Sequence, residues 1–323
     1  MTTGRPRGPR RGSAAATSPT ALRAAAPALL DSATMRQLER LSLAFLDAIV
    51  TGVSGQRSGP AAAVGSEFAD YRHYAAGDDL RRIDWHVYGR LRELMIKVAP
   101  EEGHVDLAIL LDHSRSMDSG RPTKRWHAQR LAAVLGAVAL LRADAVRVHA
   151  LSDGGVASTD RLDAPRLLVQ LTREIERLPA GRATDLPSSL RAYRRRGEPA
   201  DLAVLITDAL TPAEQLGDAL AELAAGARSA SVLHVTDPRE ATLRLRGAVR
   251  LRDRETGQVV EADVSTQLAA AYAERFRRFC LTVAEGCQTA GVRYLRASTD
   301  VEPLDLLAGG LAHGSGAVRL VRG

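Results

Sequence analysis

Two short apolar runs, each closed by an aspartate, constrain this chain more than any other feature. Residues 105–111 read VDLAILL and lead into Asp112; residues 201–207 read DLAVLIT and lead into Asp208. Neither run alternates in polarity after its first two residues, so each suits a strand covered on both faces, as in parallel sheets. Between and beyond them, helical and strand patterns take turns. Helices are expected at 125–141, 165–178, 186–196 and 212–225, the last opened by Thr211 as N-cap with Pro212 in first position. Further strands are expected at 145–151, 229–235 and 292–297, with a long helix at 267–290 and a last one at 303–312. This alternation predicts an α/β fold: a doubly wound, mostly parallel sheet with helices on both faces. Residues 242–264 break the rhythm with period-two alternation around Thr256 and Gly257, which predicts an inserted β-hairpin near 240–264.

The main domain is therefore placed at 104–323, preceded by a small α+β segment at 31–103. That segment opens on an amphipathic helix at 34–50 (Leu38, Leu41, Phe45, Leu46, Ile49), passes a Gly/Ser-rich stretch at 51–65, and ends on a strand at 94–98. Residues 1–30 read as a disordered basic tail. They hold Arg5, Arg7, Arg10, Arg11 and Arg23 and no acid, which is five of the six units of formal positive charge. The remainder is nearly neutral, which argues against a nucleic-acid groove; an adaptor for nucleic acid would rest on the tail alone. The longest apolar run, 131–141, is closed by Arg130 and Arg142 and falls short of the about 20 residues a bilayer requires. With no secretory-signal pattern at the N-terminus, the expectation is a cytoplasmic protein without a membrane span. Cys280 and Cys287 lie two turns apart on one expected helix, roughly 10 Å, which is out of disulfide reach. They read as small buried hydrophobes.

Doubly wound sheets bind ligands at the carboxyl ends of their strands, and the polar residues collect there. Asp112, Ser114 and Ser116 stand at i, i+2 and i+4; Thr184 and Asp185 precede the 186 helix; Thr207 and Asp208 close the second apolar run. Oxygen donors of this kind suit a hard cation, Mg²⁺ or Mn²⁺. If Ser114, Ser116 and Thr184 supply neutral hydroxyls and Asp112 and Asp208 act mostly through water, the ion keeps positive charge for an acidic side chain of a protein partner. Singly, each residue is a common turn or cap residue. Their joint order at successive strand ends carries the reading. His113, between ligands, is expected to point away from the ion.

No phosphate loop, no Gly-x-Ser-x-Gly elbow and no His pair at metal-ligand spacing is present. The enzymatic alternative is a phosphohydrolase with Asp112 as nucleophile. That chemistry calls for a second carboxylate where Ser114 stands and a lysine on a later loop. In the block 66–92, Asp78, Asp79 and Asp84 alternate with Arg72, Arg81 and Arg82. This reads as an internal ion-pair network rather than a second metal site, with a docking face as a third option and Trp85 as a buried anchor.

The set Asp112, Ser114, Ser116, Thr184 and Asp208 resembles the metal-ion-dependent adhesion site of von Willebrand factor type A domains. Upstream, Gly65, Glu67, Phe68, Asp70, Arg72, Tyr74, Gly77, Asp78, Asp79, Arg81, Ile83, Asp84, Trp85 and Arg90 resemble the signature of the bacterial domain-of-unknown-function 58 family. The likeness spans about residues 54–299, and the Gly-Asp-Asp-x-Arg-x-Ile-Asp-Trp block is its most specific part. Two positions depart from the pattern: Ala183 and Ala209 stand where glycine is frequent. The resemblance implies a type A fold, a magnesium site, protein binding without catalysis, and pairing with a MoxR-type AAA+ ATPase in chaperone-like assembly or activation of other complexes.

Overall fold

A computed structural model describes residues 28–38, 70–74, 83, 85–98, 104–183, 185–198, 200–253 and 257–312. The basic tail up to residue 27, most of the 34–50 helix, the 51–65 passage and Asp78, Asp79, Arg81, Arg82 and Asp84 lie outside these, as does Thr184.

Helical residues 32–38 (α1) place Leu38 in the core. Strand β1 (Asp70–His73) pairs antiparallel with β2 (Met95–Val98), and the short helix α2 (Trp85–Leu91) lies between them in sequence. Trp85 is not a buried anchor: it is 61% exposed. It opens a seven-residue helix and meets Tyr88, one turn on, edge-to-face at 6.1 Å.

The body of the protein is a six-stranded sheet. Its strands are β3 (Asp106–Asp112), β4 (Ala145–Ser152), β5 (Gly155–Ser158), β6 (Leu202–Thr207), β7 (Ser229–Thr236) and β10 (Arg293–Ser298), in the spatial order β10-β7-β6-β3-β4-β5. All neighbours are parallel except the β4–β5 edge pair. One face is covered by α3 (Lys124–Leu141), α4 (Leu168–Arg177) and α8 (Pro303–Ala312), the other by α5 (Leu186–Arg195), α6 (Ala213–Ala224) and α7 (Thr266–Thr289). The strand sequences explain the two cores. In β3, Leu107, Ile109 and Leu111 join the α3 side, while Ala108 and Leu110 join the α5–α6 side. A strand buried on both faces has no polar positions to alternate with. Helix α3 is buried nearly all round, so its uninterrupted apolar run is a core signature and not a membrane one. No helix among the described residues is long and apolar enough to cross a membrane.

Strand and helix boundaries fall within a residue of the sequence expectation along most of the body. Three details differ. The 165–178 helix begins with a 3-10 turn, Pro165–Leu167, before α4. Thr211 does not cap α6; Pro212, with extended backbone (ψ 139°), is the capping residue, and the Thr211 hydroxyl turns to Gln215. Strand β5 is an addition, reached through a tight turn at Asp153 (φ 51°) and Gly154 (φ 73°). An Asp-Gly pair with both φ positive is a hairpin signal, and it is legible in the sequence.

The inserted hairpin forms as expected, from β8 (Gly247–Arg252) and β9 (Val259–Val264), and among the described residues its strands pair only with each other. Cys280 and Cys287 are free and buried on α7.

Candidate metal centre

Strands β3 and β6 are neighbours, yet the chain leaves them in opposite directions, toward β4 and toward β7. That is a topological switch point, where a crevice opens at the carboxyl edge. Asp112 ends β3 and Asp208 follows β6. Both are buried, at 1% and 2% exposure.

Asp112 is held at both oxygens. Its Oδ1 accepts from the Ser114 backbone N–H at 3.0 Å, and its Oδ2 accepts from the Thr207 hydroxyl at 2.7 Å. The hydroxyls of Ser114 and Ser116 lie 2.9 Å apart, with Ser114 fully enclosed and Ser116 half-buried at the mouth. Arg125 braces this turn, donating to the Ser114 carbonyl at 3.0 Å and to Asp118 at 2.7 Å. Burial, and then the negative charge of Asp208, push the Asp112 carboxyl up to about 6; its hydrogen bonds from Ser114 and Thr207 pull the other way. A buried carboxylate that resists ionisation next to a second one is a place where added positive charge is stabilising.

Residues 179–183 are tied to His113, next to Asp112, and to Asp153. His113 donates from Nδ1 to the Pro179 carbonyl at 2.9 Å, and its own carbonyl accepts from Gly181 N–H at 2.9 Å. The Asp153 carboxylate accepts from the N–H groups of Arg182 and Ala183 at 3.1 and 3.0 Å. Asp185 is spent as the N-cap of α5, accepting from Ser188 N–H at 3.0 Å. Asp112, Ser114, Ser116 and Asp208 are thus assembled at one edge of the sheet, with Gly181 tied to the Asp112 loop and the 182–183 backbone tied to the β4–β5 turn at Asp153.

Two residues that sequence reasoning missed complete the crevice. Lys124, the first residue of α3, is fully enclosed and donates to Asp208 Oδ2 at 2.7 Å and to Glu240 Oε1 at 2.6 Å. Burial opposes its charge, but the Asp208 and Glu240 carboxylates outweigh burial and raise its pKa. Glu240, on the loop after β7, also accepts from the Ser119 hydroxyl and the Asp237 N–H. The other Asp208 oxygen accepts from Leu210 N–H at 3.2 Å, and its carbonyl accepts from His234 Nε2 at 3.1 Å. Burial lowers the pKa of His234 to about 4, so the ring is neutral, and its Nδ1 faces the Tyr294 hydroxyl at 2.9 Å.

Ala209 follows Asp208 with φ 54°, a left-handed backbone that glycine adopts more easily. An alanine held there carries strain of about 1 kcal/mol.

The donor chemistry fits a hard cation at Asp112, Ser114 and Ser116, all oxygen and all on one turn. Among the described residues no three His, Cys, Asp or Glu side chains form a metal-holding group, so any such ion would depend on the hydroxyls. Asp208 already has a cation, the Lys124 ammonium.

Fold and crevice together define a doubly wound α/β domain with an acidic, hydroxyl-lined switch point. The chain belongs to the family described as protein of unknown function DUF58, whose profile matches residues 70–279. It is 28% identical over 276 residues to the uncharacterized protein Rv1480 of Mycobacterium tuberculosis, covering 83% of this chain and 85% of that one. Among solved structures it is similar to the conserved hypothetical protein BatB from Bacteroides thetaiotaomicron, with 19% identity over 64% of this chain and 98% of that one and a TM-score of 0.41. It is also similar to the SpRpn10 VWA domain, with 8% identity, 67% and 100% coverage and a TM-score of 0.38.

Proposed function

We propose that this chain is a metal-dependent protein-binding subunit and not an enzyme. Asp112, Ser114, Ser116, Thr184 and Asp208 are assigned to one divalent ion, Mg²⁺ or Mn²⁺. The observation that supports this is the convergence of Asp112, the two serine hydroxyls and Asp208 at the switch point, where burial works against the charge of Asp112. When bound, the ion supplies Lewis-acidic positive charge that attracts a carboxylate of a protein client. The chain's own residues do the rest. Ser114 N–H and Thr207 orient Asp112, His234 and Leu210 N–H orient Asp208, and the half-buried Ser116 sits where a client reaches in. The partner we assign is a MoxR-type AAA+ ATPase, on the family likeness; the pair would act in chaperone-like assembly or activation of other complexes in the cytoplasm. The phosphohydrolase alternative gains nothing: Ser114 occupies the second carboxylate position, and Lys124 is shared between Asp208 and Glu240.

The test is calorimetric titration of Mg²⁺ into wild type and Asp112→Ala, followed by capture of the ATPase with and without chelator. Saturable binding lost in the variant, and capture lost with chelator, are expected. Capture by Asp112→Ala at wild-type strength in chelator would sink the proposal.

A further inference from the structure

Lys124 stands apart in composition as well as in position. Of the 44 lysines and arginines in the chain, only Lys97 and Lys124 are lysine. At Lys124 the choice has a physical reason. A compact ammonium with three donors can bridge two carboxylates in an enclosed space, where a planar guanidinium fork demands a wider slot. Its backbone cannot follow a shifting partner, because α3 is capped by Thr123 and buried along its length. Its two acceptors differ. Asp208 is 2% exposed and belongs to the crevice proper; the Glu240 side chain is 25% exposed at the rim, held by Ser119 and Asp237.

The local charge is left net negative. Asp112, Asp208 and Glu240 contribute three negative units when ionised, and Lys124 one positive unit. A lysine standing on the very carboxylate assigned to a divalent ion opposes that ion's entry by repulsion and by occupying an Asp208 oxygen. Glu240 offers the ammonium a second place to rest.

We infer that Lys124 is a resident counter-cation, a positioning residue that competes with divalent metal for Asp208, with Glu240 as the alternative acceptor that moderates the competition. The inference rests on the metal reading above, and it makes opposite predictions for two substitutions. Lys124→Met removes the competitor and should tighten Mg²⁺ binding by about tenfold or more. Glu240→Gln leaves the ammonium to Asp208 alone and should weaken it by about threefold to tenfold. A residue that only props up the fold would lower metal-free stability in both variants without moving affinity in opposite directions.

The experiment is calorimetric Mg²⁺ titration of the full chain as wild type, Lys124→Met and Glu240→Gln, paired with the unfolding midpoint of each in chelator and in Mg²⁺. Opposite affinity shifts, with a larger Mg²⁺-induced rise in midpoint for Lys124→Met, support the inference. Equal affinity in all three overturns it while leaving the metal reading intact. Binding by Lys124→Met alone supports the competition and overturns metal use by the native chain; binding by none overturns both. Should Lys124→Met fail to fold, Glu240→Gln decides: weaker binding supports the inference and unchanged binding overturns it.

Discussion

The six-stranded sheet and the β8–β9 hairpin are built on the same backbone pairing and differ in almost everything else. Strand β6 pairs on both sides and all six of its residues are buried; β8 and β9 pair over six positions each, yet only Val264 is buried. The hairpin is amphipathic by register. Val249, Leu251, Val260 and Ala262 share one face, and Arg250 pairs with Glu261 on the other. Its apolar face nonetheless stays open, with Leu251 41% and Val260 59% exposed. Pairing sets register, and burial on both faces supplies most of the free energy, at about 1.5–3 kcal/mol per large side chain. An isolated two-stranded ribbon has little of that to draw on.

The sharpest way to break this contrast is to empty the sheet's centre. Ile109→Ala, at 0% exposure among Leu107, Leu111 and the α3 side chains, should cost about 3–5 kcal/mol in urea unfolding. A loss below about 1 kcal/mol would mean that the body is not the rigid partner.

The next effect is acid sensitivity, which also belongs to the body. Burial lowers His127 on α3 and His149 on β4 to about 4. Below the ordinary histidine value near 6.5, the unfolded chain takes up protons that these folded sites refuse, so stability falls as pH drops from about 6.5 to 4 and is flat above. Each site contributes about 3 kcal/mol over that window. Unfolding midpoints measured across it should decline, and His149→Gln should flatten the slope. An unchanged slope would show that His149 is protonated without penalty.

The smallest effect belongs to the hairpin. Val260→Ser should move global stability by no more than about 0.5 kcal/mol. A loss comparable to Ile109→Ala would mean that the hairpin's apolar face is covered in solution.

The same contrast explains what was legible in the sequence. A strand packed on both faces carries a continuous apolar run, and β3, β6 and β7 could be placed to the residue or nearly so. The hairpin was legible from alternation, but alternation reports two faces and not whether either is buried. Of strand β5 only the Asp153-Gly154 turn is legible, because its four half-buried residues carry little pattern of their own. Asp112 and Asp208 were legible because each ends a strand. Lys124 and Glu240 were not: they meet across 116 residues, and a lysine in a helix's first turn looks like any solvated charge. Trp85 shows the converse: a large aromatic in a charged block suggests burial that seven residues of helix do not provide.

The doubly wound topology has a consequence for how this crevice comes into being. Strand β3 is made early but lies between β4 and β6, and the Asp112–Thr207 bond spans 95 residues of chain. At a synthesis rate of about 5–20 residues per second, Asp112 waits roughly 5–20 s for Thr207 to emerge from the ribosome, and Lys124 waits longer still for Glu240. A nascent or truncated chain ending before residue 240 therefore carries the serine turn and Lys124 without the Glu240 acceptor, so the finished crevice exists only in a chain that has been translated past β7.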